Sequence, residues 1–347
     1  MQTKIWDLSK NIDSSKAETA IKEIAEIYKK GGLVAIPTET VYGLGANAKD
    51  DAAVKKIYEA KGRPSDNPLI VHIYEAAQMD DFIAEIPEKA QRLMNVFWPG
   101  PISFILPLKE GYLCERVSGG LSSIAVRMPS HPVGRVILKE TRLPIAAPSA
   151  NLSGRPSPTT FDHVFYDLNG KVDGIVNGDQ SEEGLESTVL DCTQYPFRIA
   201  RPGAITVEMI EQVIPGSVDT TTILNTEKPI APGMKYKHYS PDTPVMMLTD
   251  LNTVITPDKD WENTLFAVPA SLKHYVPKTA IYRELSVDEL DLKNANHNLY
   301  QILHELDTET NIEQGYIFKF PENDESQAFL NRLAKATGNQ EIGAAQL

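Results

Sequence analysis

The segment 33–73 constrains the fold of this 347-residue chain more than any other stretch. It opens with a short apolar run, 33–37, which follows two glycines and predicts a buried strand. Residues 50–61 begin with two aspartates and have the apolar spacing of a helix, and 68–73 are typical of a second buried strand. Strand, helix and strand in this order indicate an α/β fold, in which ligands bind where strands end.

Polar side chains occur at the ends of these predicted strands. In chain order they are Thr38, Thr40, Lys61, Arg63, Asn67 and His72. Hydroxyls, an amide and cations beside small residues form a set that can hold an anionic, polar ligand such as a nucleotide. Taken singly, Lys61 and Arg63 also fit the cations that commonly follow a helix, and His72 also fits a hydrogen-bonded core histidine.

Similar side chains follow other predicted strands further along the chain. A strand over 123–128 begins with Ser123 and contains Arg127, and Arg201 precedes a Pro-Gly pair. Ser149 and Asn151 begin a loop after a short apolar run, where they could bind a ligand or simply cap the turn. No G-x-S-x-G motif is present, so we do not interpret Ser149 as a nucleophile.

Several classes of protein are disfavoured by what the sequence lacks. There is no G-x-x-x-x-G-K-[ST] motif, so any ATP must be held by something other than a P-loop, and Gly43-Leu44-Gly45 alone is weak evidence for dinucleotide binding. The seven histidines form no H-x-x-x-H pair, which argues against a resident transition metal. Two cysteines suit a reducing cytoplasm, and we expect neither a secretion signal nor a membrane span.

The length of 347 residues predicts two domains, and the distribution of charge distinguishes them. Residues 242–347 carry 8 Lys and Arg against 17 Asp and Glu, whereas 1–241 carry 26 against 30. We therefore expect ligand chemistry in the front part, and the net charge of −13 argues against a general nucleic-acid binder. The aperiodic segment 215–242 is interpreted as an interdomain linker, followed by a small parallel-sheet α/β domain.

Four motifs in order resemble one known family. They are Pro37-Thr38-Glu39-Thr40-Val41-Tyr42-Gly43-Leu44, Lys61-Gly62-Arg63-Pro64, Ser149-Ala150-Asn151 and Arg201-Pro202-Gly203. Together they resemble the threonylcarbamoyl-AMP synthases of the YrdC/Sua5 family, and 231–241 is similar to the linker of the long Sua5 form. The resemblance implies a twisted mixed-sheet catalytic domain with a large concave cavity over 13–205. It also implies a helix and a linker or lid over 206–242 and a smaller, Rossmann-like parallel α/β domain over 243–347.

The resemblance also implies an activity, that of a nucleotidyltransferase. L-threonine, bicarbonate and ATP would give threonylcarbamoyl-AMP and pyrophosphate, the first step of the tRNA t6A37 modification. Lys61 and Arg63 would be catalytic. The ATP-binding residues would be Arg63, Asn67, Ser123, Ser149, Asn151, Arg201 and Tyr236. The threonine-binding residues would be Thr38, Thr40, His72, Arg127, Ala147 and Ser187.

The same resemblance implies Mg²⁺ that arrives with ATP rather than at a dedicated protein site, and a t6A transferase machinery that receives the product. Direct tRNA binding is the weaker expectation, and we expect no membrane partner. Two alternatives compete with the synthase. One is an RNA-binding module without catalysis, which would bind tRNA in a salt-dependent way without ATP turnover. The other is a carbamoyltransferase that acts through a carbamoyl-adenylate.

Overall fold

The computed structural model describes residues 2–62, 67–220, 238–256 and 260–347. Contacts between Cα atoms divide these residues into two compact units. Unit 1 consists of 2–153, 158–182 and 186–220. Unit 2 consists of the described residues of 238–347 together with two short segments from the front of the sequence, 154–157 and 183–185. The domain limits at 205 and 242 stay predictions.

Unit 1 contains ten strands and seven helices among the described residues. The strands are β1 Lys4–Asp7, β2 Val34–Ile36, β3 Gly43–Asn47, β4 Ile70–His72, β5 Ile102–Pro107, β6 Ser123–Arg127, β7 Ile145–Ala146, β8 Gly174–Asn177, β9 Thr188–Asp191 and β10 Arg198–Arg201. The helices are α1 Ser15–Lys29, α2 Asp51–Lys61, α3 Glu88–Phe97, α4 Glu115–Ser118, α5 Pro132–Thr141, α6 Phe161–Leu168 and α7 Val207–Val213.

All ten strands form one mixed sheet in the order β1-β8-β2-β3-β7-β4-β6-β5-β9-β10. The main apolar core covers one face, where residues of α2, α3 and α6 pack on alternate strand positions such as Val71, Phe104 and Val126. On the opposite face, α1 and α5 pack over the first strands, around Val34, Ile36 and Ile145. A separate small apolar cluster lies on the strands beyond β7. The twisted mixed α/β sheet expected from the sequence is confirmed.

The Gly43-Leu44-Gly45 segment lies within a strand, not in a ligand-binding loop as a GxG motif would suggest. It belongs to β3, which pairs antiparallel with both β2 and β7. A Cβ atom at Gly45 would lie 2.5 Å from the Tyr28 hydroxyl oxygen of α1. That hydroxyl donates to the Val34 carbonyl at 2.9 Å. The glycine is therefore needed so that α1 can approach the sheet closely.

Two local predictions differ from the structure. The sequence predicts a capping box that begins at Ser15, but helix α1 is capped by Ser14, whose hydroxyl accepts from the Ala17 amide. The alternation of helices and strands also gives no sign of β1, since this short strand has mostly exposed side chains. Strand β1 is held by parallel pairing with β8, which lies about 170 residues further along the chain.

Unit 2 is a five-stranded parallel sheet with two helices in its described part. The elements are β11 Val245–Thr249, β12 Thr264–Val268, β13 Ile281–Glu284, β14 Gln314–Phe318, β15 Glu341–Gly343, α8 Leu292–Thr308 and α9 Gln327–Thr337. The strand order is β13-β12-β14-β11-β15, and every pair is parallel. The predicted parallel α/β domain is confirmed. Across the described parts of both units, no helix combines the length and apolarity that a bilayer crossing requires.

Candidate active site

A row of polar side chains crosses one face of the large sheet. Residues directly opposite each other on neighbouring strands have side chains on the same face. His72 of β4 lies opposite Arg127 of β6, which lies opposite Ser103 of β5. Ser103 lies opposite Val189 of β9, and a register shift in β10 places Arg201 opposite Val189. Strand pairing therefore aligns an imidazole, two guanidinium groups and a hydroxyl across five adjacent strands.

The neighbouring row on this face is apolar. Ile70, Ala125 and Ile105 lie opposite one another on β4, β6 and β5. Each lies two residues along its strand from the member of the polar row on that strand. They are buried and form a small cluster with Val189 that is separate from the main core. The polar row therefore adjoins an apolar floor, a pattern typical of pockets for small ligands.

The loop after β2 reaches across the sheet to this row. Although β3, β7 and β4 lie between β2 and β6, Arg127 Nη1 donates to Thr40 Oγ1 at 2.7 Å. Arg127 Nη2 lies 2.6 Å from Glu39 Oε1, and both side chains are about 95% buried. Thr38 Oγ1 lies 3.0 Å from Thr40 Oγ1 and donates to the Val41 carbonyl at 2.6 Å. Three consecutive polar residues of this loop are thus fixed near one arginine.

Glu39 and Arg127 form a buried ion pair. Burial is the largest single effect and acts to raise the pKa of Glu39, but the Arg127 charge, its hydrogen bond and backbone hydrogen bonds together outweigh it, so the pKa of the carboxyl lies below its usual value. Arg127 also directs its Nε toward the Gly100 carbonyl at 3.4 Å. The guanidinium is therefore engaged on three sides, and its carboxylate partner in this structure is Glu39.

His72 is buried and neutral. Burial and, to a lesser extent, the nearby Arg127 charge together lower its pKa to about 3. Its Nδ1 lies 3.3 Å from the Ile70 carbonyl oxygen, which can only accept. This contact places the ring proton on Nδ1 and leaves Nε2 as a hydrogen-bond acceptor. His72 is therefore suited to receive a hydrogen bond from a ligand hydroxyl or amine.

A second polar group lies at the β5, β9 and β10 end of the row. Ser103 Oγ lies 2.9 Å from Ser187 Oγ, and both residues are buried. Arg201 donates to the Ser187 carbonyl from Nε at 3.1 Å and from Nη2 at 3.0 Å, and Nη2 is also 3.2 Å from Ser187 Oγ. Ser187 is therefore held between a serine and an arginine of neighbouring strands.

Lys61 is the last residue of α2, and its side chain is buried. Its Nζ donates to the Ser149 carbonyl at 2.5 Å and to the Asn151 carbonyl at 2.6 Å. Gly62 then ends the helix in the left-handed region, with φ of 63°. The helix end and the loop after β7, which come from two separate sequence motifs, are therefore joined by one ammonium group.

The remaining predicted residues lie near the amino ends of β4 and β6. Asn67 precedes β4, and its buried side-chain amide has no hydrogen-bond partner within the described ranges. Ser123 begins β6, four residues before Arg127 on the same face. Ala147 donates its amide to the Ile70 carbonyl at 3.0 Å, and Ser149 bridges to Gly43. The structure therefore places Asn67, Ser123 and Ser149 at the amino ends of β4 and β6, away from Arg127 and His72 at the carboxyl ends. Arg201, also predicted to bind ATP, lies instead on the polar row.

Arg63 and Tyr236 lie outside the described residues, as does most of the linker 231–241. Two residues of the site were not selected from the sequence, namely Glu39 and Ser103. Glu39 lies between Thr38 and Thr40, which were both predicted to bind a ligand, so its position in the same motif could have indicated a role in the site. Ser103 is the one polar side chain of the apolar strand β5, and it is fully buried. A lone hydroxyl at such a position could have indicated a hydrogen-bonded role.

The site's donor set suits an anionic ligand. In the described part of the chain, no group of three or more His, Cys, Asp or Glu side chains could hold a metal ion. Glu39, the carboxylate on the polar row, is already paired with Arg127. The groups around it are hydroxyls, guanidinium groups and the Asn67 amide, which match phosphate and carboxylate oxygens.

Comparisons with known proteins identify the family of the chain. Residues 26–203 match the Sua5/YciO/YrdC family model, described as "Telomere recombination", and 205–338 match the model of the threonylcarbamoyl-AMP synthase C-terminal domain. The threonylcarbamoyl-AMP synthase of Bacillus subtilis is 43% identical over 99% of this chain and 100% of its own length. That of Pyrococcus abyssi is 38% identical over 94% and 97%.

A solved structure extends the similarity to both units. P. abyssi Sua5 complexed with L-threonine has a TM-score of 0.84 and 36% identity, and the match covers 98% of this chain and 99% of that one. Both family models and full-length relatives therefore agree with the motifs and with the two-unit architecture. The chain belongs to the threonylcarbamoyl-AMP synthase family, in the two-domain form represented by Sua5.

Proposed function

We propose that the polar row of unit 1 catalyses formation of threonylcarbamoyl-AMP from L-threonine, bicarbonate and ATP. Family membership supports the reaction. The single observation that supports this location is the convergence of Thr40, Glu39, His72 and Arg127 on one buried face beside the Ser187–Arg201 contact. The residues predicted to bind the substrate threonine thus adjoin Arg201, which is predicted to bind the phosphates of ATP. Joining the two substrates requires such proximity.

The chemistry explains why cations are needed. Bicarbonate and the threonine amine give a carbamate with loss of water, and the anionic oxygen of the carbamate attacks the α-phosphorus of ATP while the bond to the pyrophosphate leaving group breaks. Two unit charges 4 Å apart repel by about 4 kcal/mol at an effective dielectric of 20. Most of the catalytic effect should therefore come from positioning and charge neutralisation, without a covalent enzyme intermediate.

We assign threonine to the part of the row around Thr40, His72 and Arg127. Arg127 is expected to bind the threonine carboxylate, and because Glu39 already occupies one side of the guanidinium, substrate and Glu39 would share it. The acceptor Nε2 of His72 would receive a hydrogen bond from the threonine hydroxyl or amine. Thr38, Ala147 and Ser187 would complete this subsite, as the sequence predicts.

We assign ATP to the strand end that carries Asn67, Ser123, Ser149 and Asn151. The buried amide of Asn67, which has no partner among the residues that the structure describes, supports this, because an unsatisfied buried amide costs about 1–3 kcal/mol unless a ligand pairs with it. Arg201 and Arg63 would neutralise the phosphates, and Tyr236 would contact the nucleotide. The proposed role of Lys61 is to fix the loop 149–151 and to add positive charge beside it.

Magnesium is expected to enter with ATP. The donors facing the site fit phosphate oxygens better than they fit a metal ion, so the phosphates and water would provide the coordination. Bound there, Mg²⁺ would neutralise charge on the phosphate oxygens. The product is an activated acyl adenylate, so a transferase that modifies tRNA is the expected consumer.

Two conservative arginine variants test the division of the site. Arg127→Lys should raise the KM for threonine about 10- to 100-fold, because a single ammonium group cannot reproduce the guanidinium contacts. Arg201→Lys should raise the KM for ATP instead. Arg198→Lys is the control, since Arg198 lies on the same strand as Arg201 but pairs with Asp191 at 2.8 Å. If Arg127→Lys and Arg201→Lys affected both substrates equally, the assignment of separate subsites would be wrong.

A further inference from the structure

Ser103 is a fully buried hydroxyl that none of the roles above includes. It lies in β5 between Arg127 on β6 and Val189 on β9, facing the polar row. Its neighbours along the strand are apolar, so burial of a hydroxyl here has a cost unless the hydroxyl is hydrogen-bonded. Its partner within the described residues is Ser187 Oγ, at 2.9 Å.

The Ser187 hydroxyl has a second hydrogen-bond partner on its other side, Arg201. Arg201 Nη2 lies 3.2 Å from Ser187 Oγ and, being a cation, can only donate. A serine hydroxyl has one proton and two lone pairs. If Ser103 also donates to Ser187, both lone pairs are filled, and the proton of Ser187 is directed to a third group.

We propose that Ser103 is a positioning residue that orients the Ser187 hydroxyl toward the anionic substrate. The inference rests on the proposed function, in which Ser187 contacts threonine or its carbamate and Arg201 contacts the phosphates. Because carboxylate and carbamate oxygens accept hydrogen bonds, the arrangement in which Ser187 donates to them fits the ligand. Ser103 thereby connects the threonine subsite with the arginine of the ATP subsite, although it touches neither substrate.

The test is a double-mutant cycle on Ser103 and Ser187. Ser103→Ala should lower kcat/KM for threonine about five- to ten-fold, the usual effect of one hydrogen bond, mainly through KM. Ser187→Ala should lower it at least as much. Because Ser103 acts through Ser187, the double variant should match Ser187→Ala alone.

A matched control is Ser217→Ala, which removes another fully buried hydroxyl of unit 1, one without a hydrogen-bond partner in the described residues. It should retain the wild-type kcat/KM. Thermal denaturation of each variant verifies that it is folded. Multiplicative losses in the double variant, or an unchanged KM for threonine in Ser103→Ala, would overturn the positioning role. Absence of threonine-dependent activity in the wild type would instead overturn the proposed function.

Discussion

At the scale of single residues, buried charge is the feature that most shapes the site. Glu39 and Arg127 are ionised in a region without solvent, and each makes the burial of the other tolerable. Thr40 fixes the orientation of the guanidinium through the bond from Nη1. The consequence is a preformed arginine whose position does not depend on substrate.

Glu39→Gln should therefore destabilise the protein strongly. Removing one partner of a buried pair costs up to roughly 3–5 kcal/mol, because the other charge remains buried. The pKa of Glu39 is lower in the folded state than in the unfolded state, where it is about 4.3. The carboxylate therefore contributes its full stabilisation above about pH 4.3 and loses it as the pH falls toward the folded-state pKa. The difference in unfolding free energy between wild type and variant should accordingly be largest near neutral pH and shrink below about pH 4.

Urea denaturation as a function of pH measures this difference. The matched control is Glu18→Gln, which removes an exposed carboxylate paired with Lys22 at 2.6 Å. Its effect should be far smaller than that of Glu39→Gln, because solvent screens an exposed pair. Equal destabilisation by the two variants would show that the Glu39–Arg127 pair contributes no more than a surface pair.

His72 makes a separate prediction about pH. Its folded pKa of about 3 lies below the unfolded value of about 6.5, so folding favours the neutral ring. His72 does not lower the free energy of unfolding above about pH 6.5. Below that pH the unfolded state binds a proton that the folded state does not, and the free energy of unfolding falls by roughly 1.4 kcal/mol per pH unit. His72→Gln should remove that part of the slope between pH 6.5 and 4.5, as measured by urea denaturation.

His304 serves as a positive comparison for this measurement. It lies in unit 2, and burial lowers its pKa to about 4, so His304→Gln should flatten the same range of pH. An unchanged slope in His72→Gln would mean that its ring is protonated in the folded protein. The acceptor role assigned to Nε2 would then be wrong.

At the scale of elements, the site depends on how helix α2 is fastened to the loop after β7. Lys61→Met keeps the apolar stem of the side chain but removes the donor for the Ser149 and Asn151 carbonyls. We expect faster amide exchange in the segment 149–153 and a loss of at least ten-fold in kcat/KM. Hydrogen exchange followed by mass spectrometry measures the first effect.

Lys55→Met is the control for this substitution, because Lys55 lies on the same helix with an exposed side chain that pairs with Glu59 at 3.4 Å. It should leave both exchange and activity unchanged. Exchange at wild-type rates in Lys61→Met would show that the ammonium group does not hold the loop. Its effect on activity would then have to come from charge alone.

The sequence was most informative about individual elements of unit 1 and least informative about their neighbours. Helix α2 could be predicted because Asp50 caps it and Gly62 ends it, both local effects. The polar row could not, because it depends on the strand order β4-β6-β5-β9-β10 and on the irregularity in β10. Ser103 shows the difference: its burial follows from strand composition, whereas its contact with Ser187 spans 84 residues of sequence.

At the scale of the whole molecule, the two units differ in charge as well as in architecture. The sequence from 242 onward has a net charge of −9, whereas the cations of the site belong to unit 1. Unit 2 also includes two short segments from the front half of the sequence. In one of them, Arg155 Nη2 lies 3.1 Å from Asp307 Oδ2 of α8. The acidity of unit 2 disfavours RNA binding there, and we assign the small-molecule chemistry to unit 1.

The most direct test follows labelled L-threonine into an adenylate. The purified protein is incubated with ATP, Mg²⁺, bicarbonate and labelled threonine, and the adenylate and pyrophosphate are quantified. We expect equal amounts of adenylate and pyrophosphate, dependent on threonine and on bicarbonate, and a loss of at least ten-fold with Arg127→Lys at low threonine. Pyrophosphate release that does not require threonine, or tRNA binding without any turnover, would contradict it.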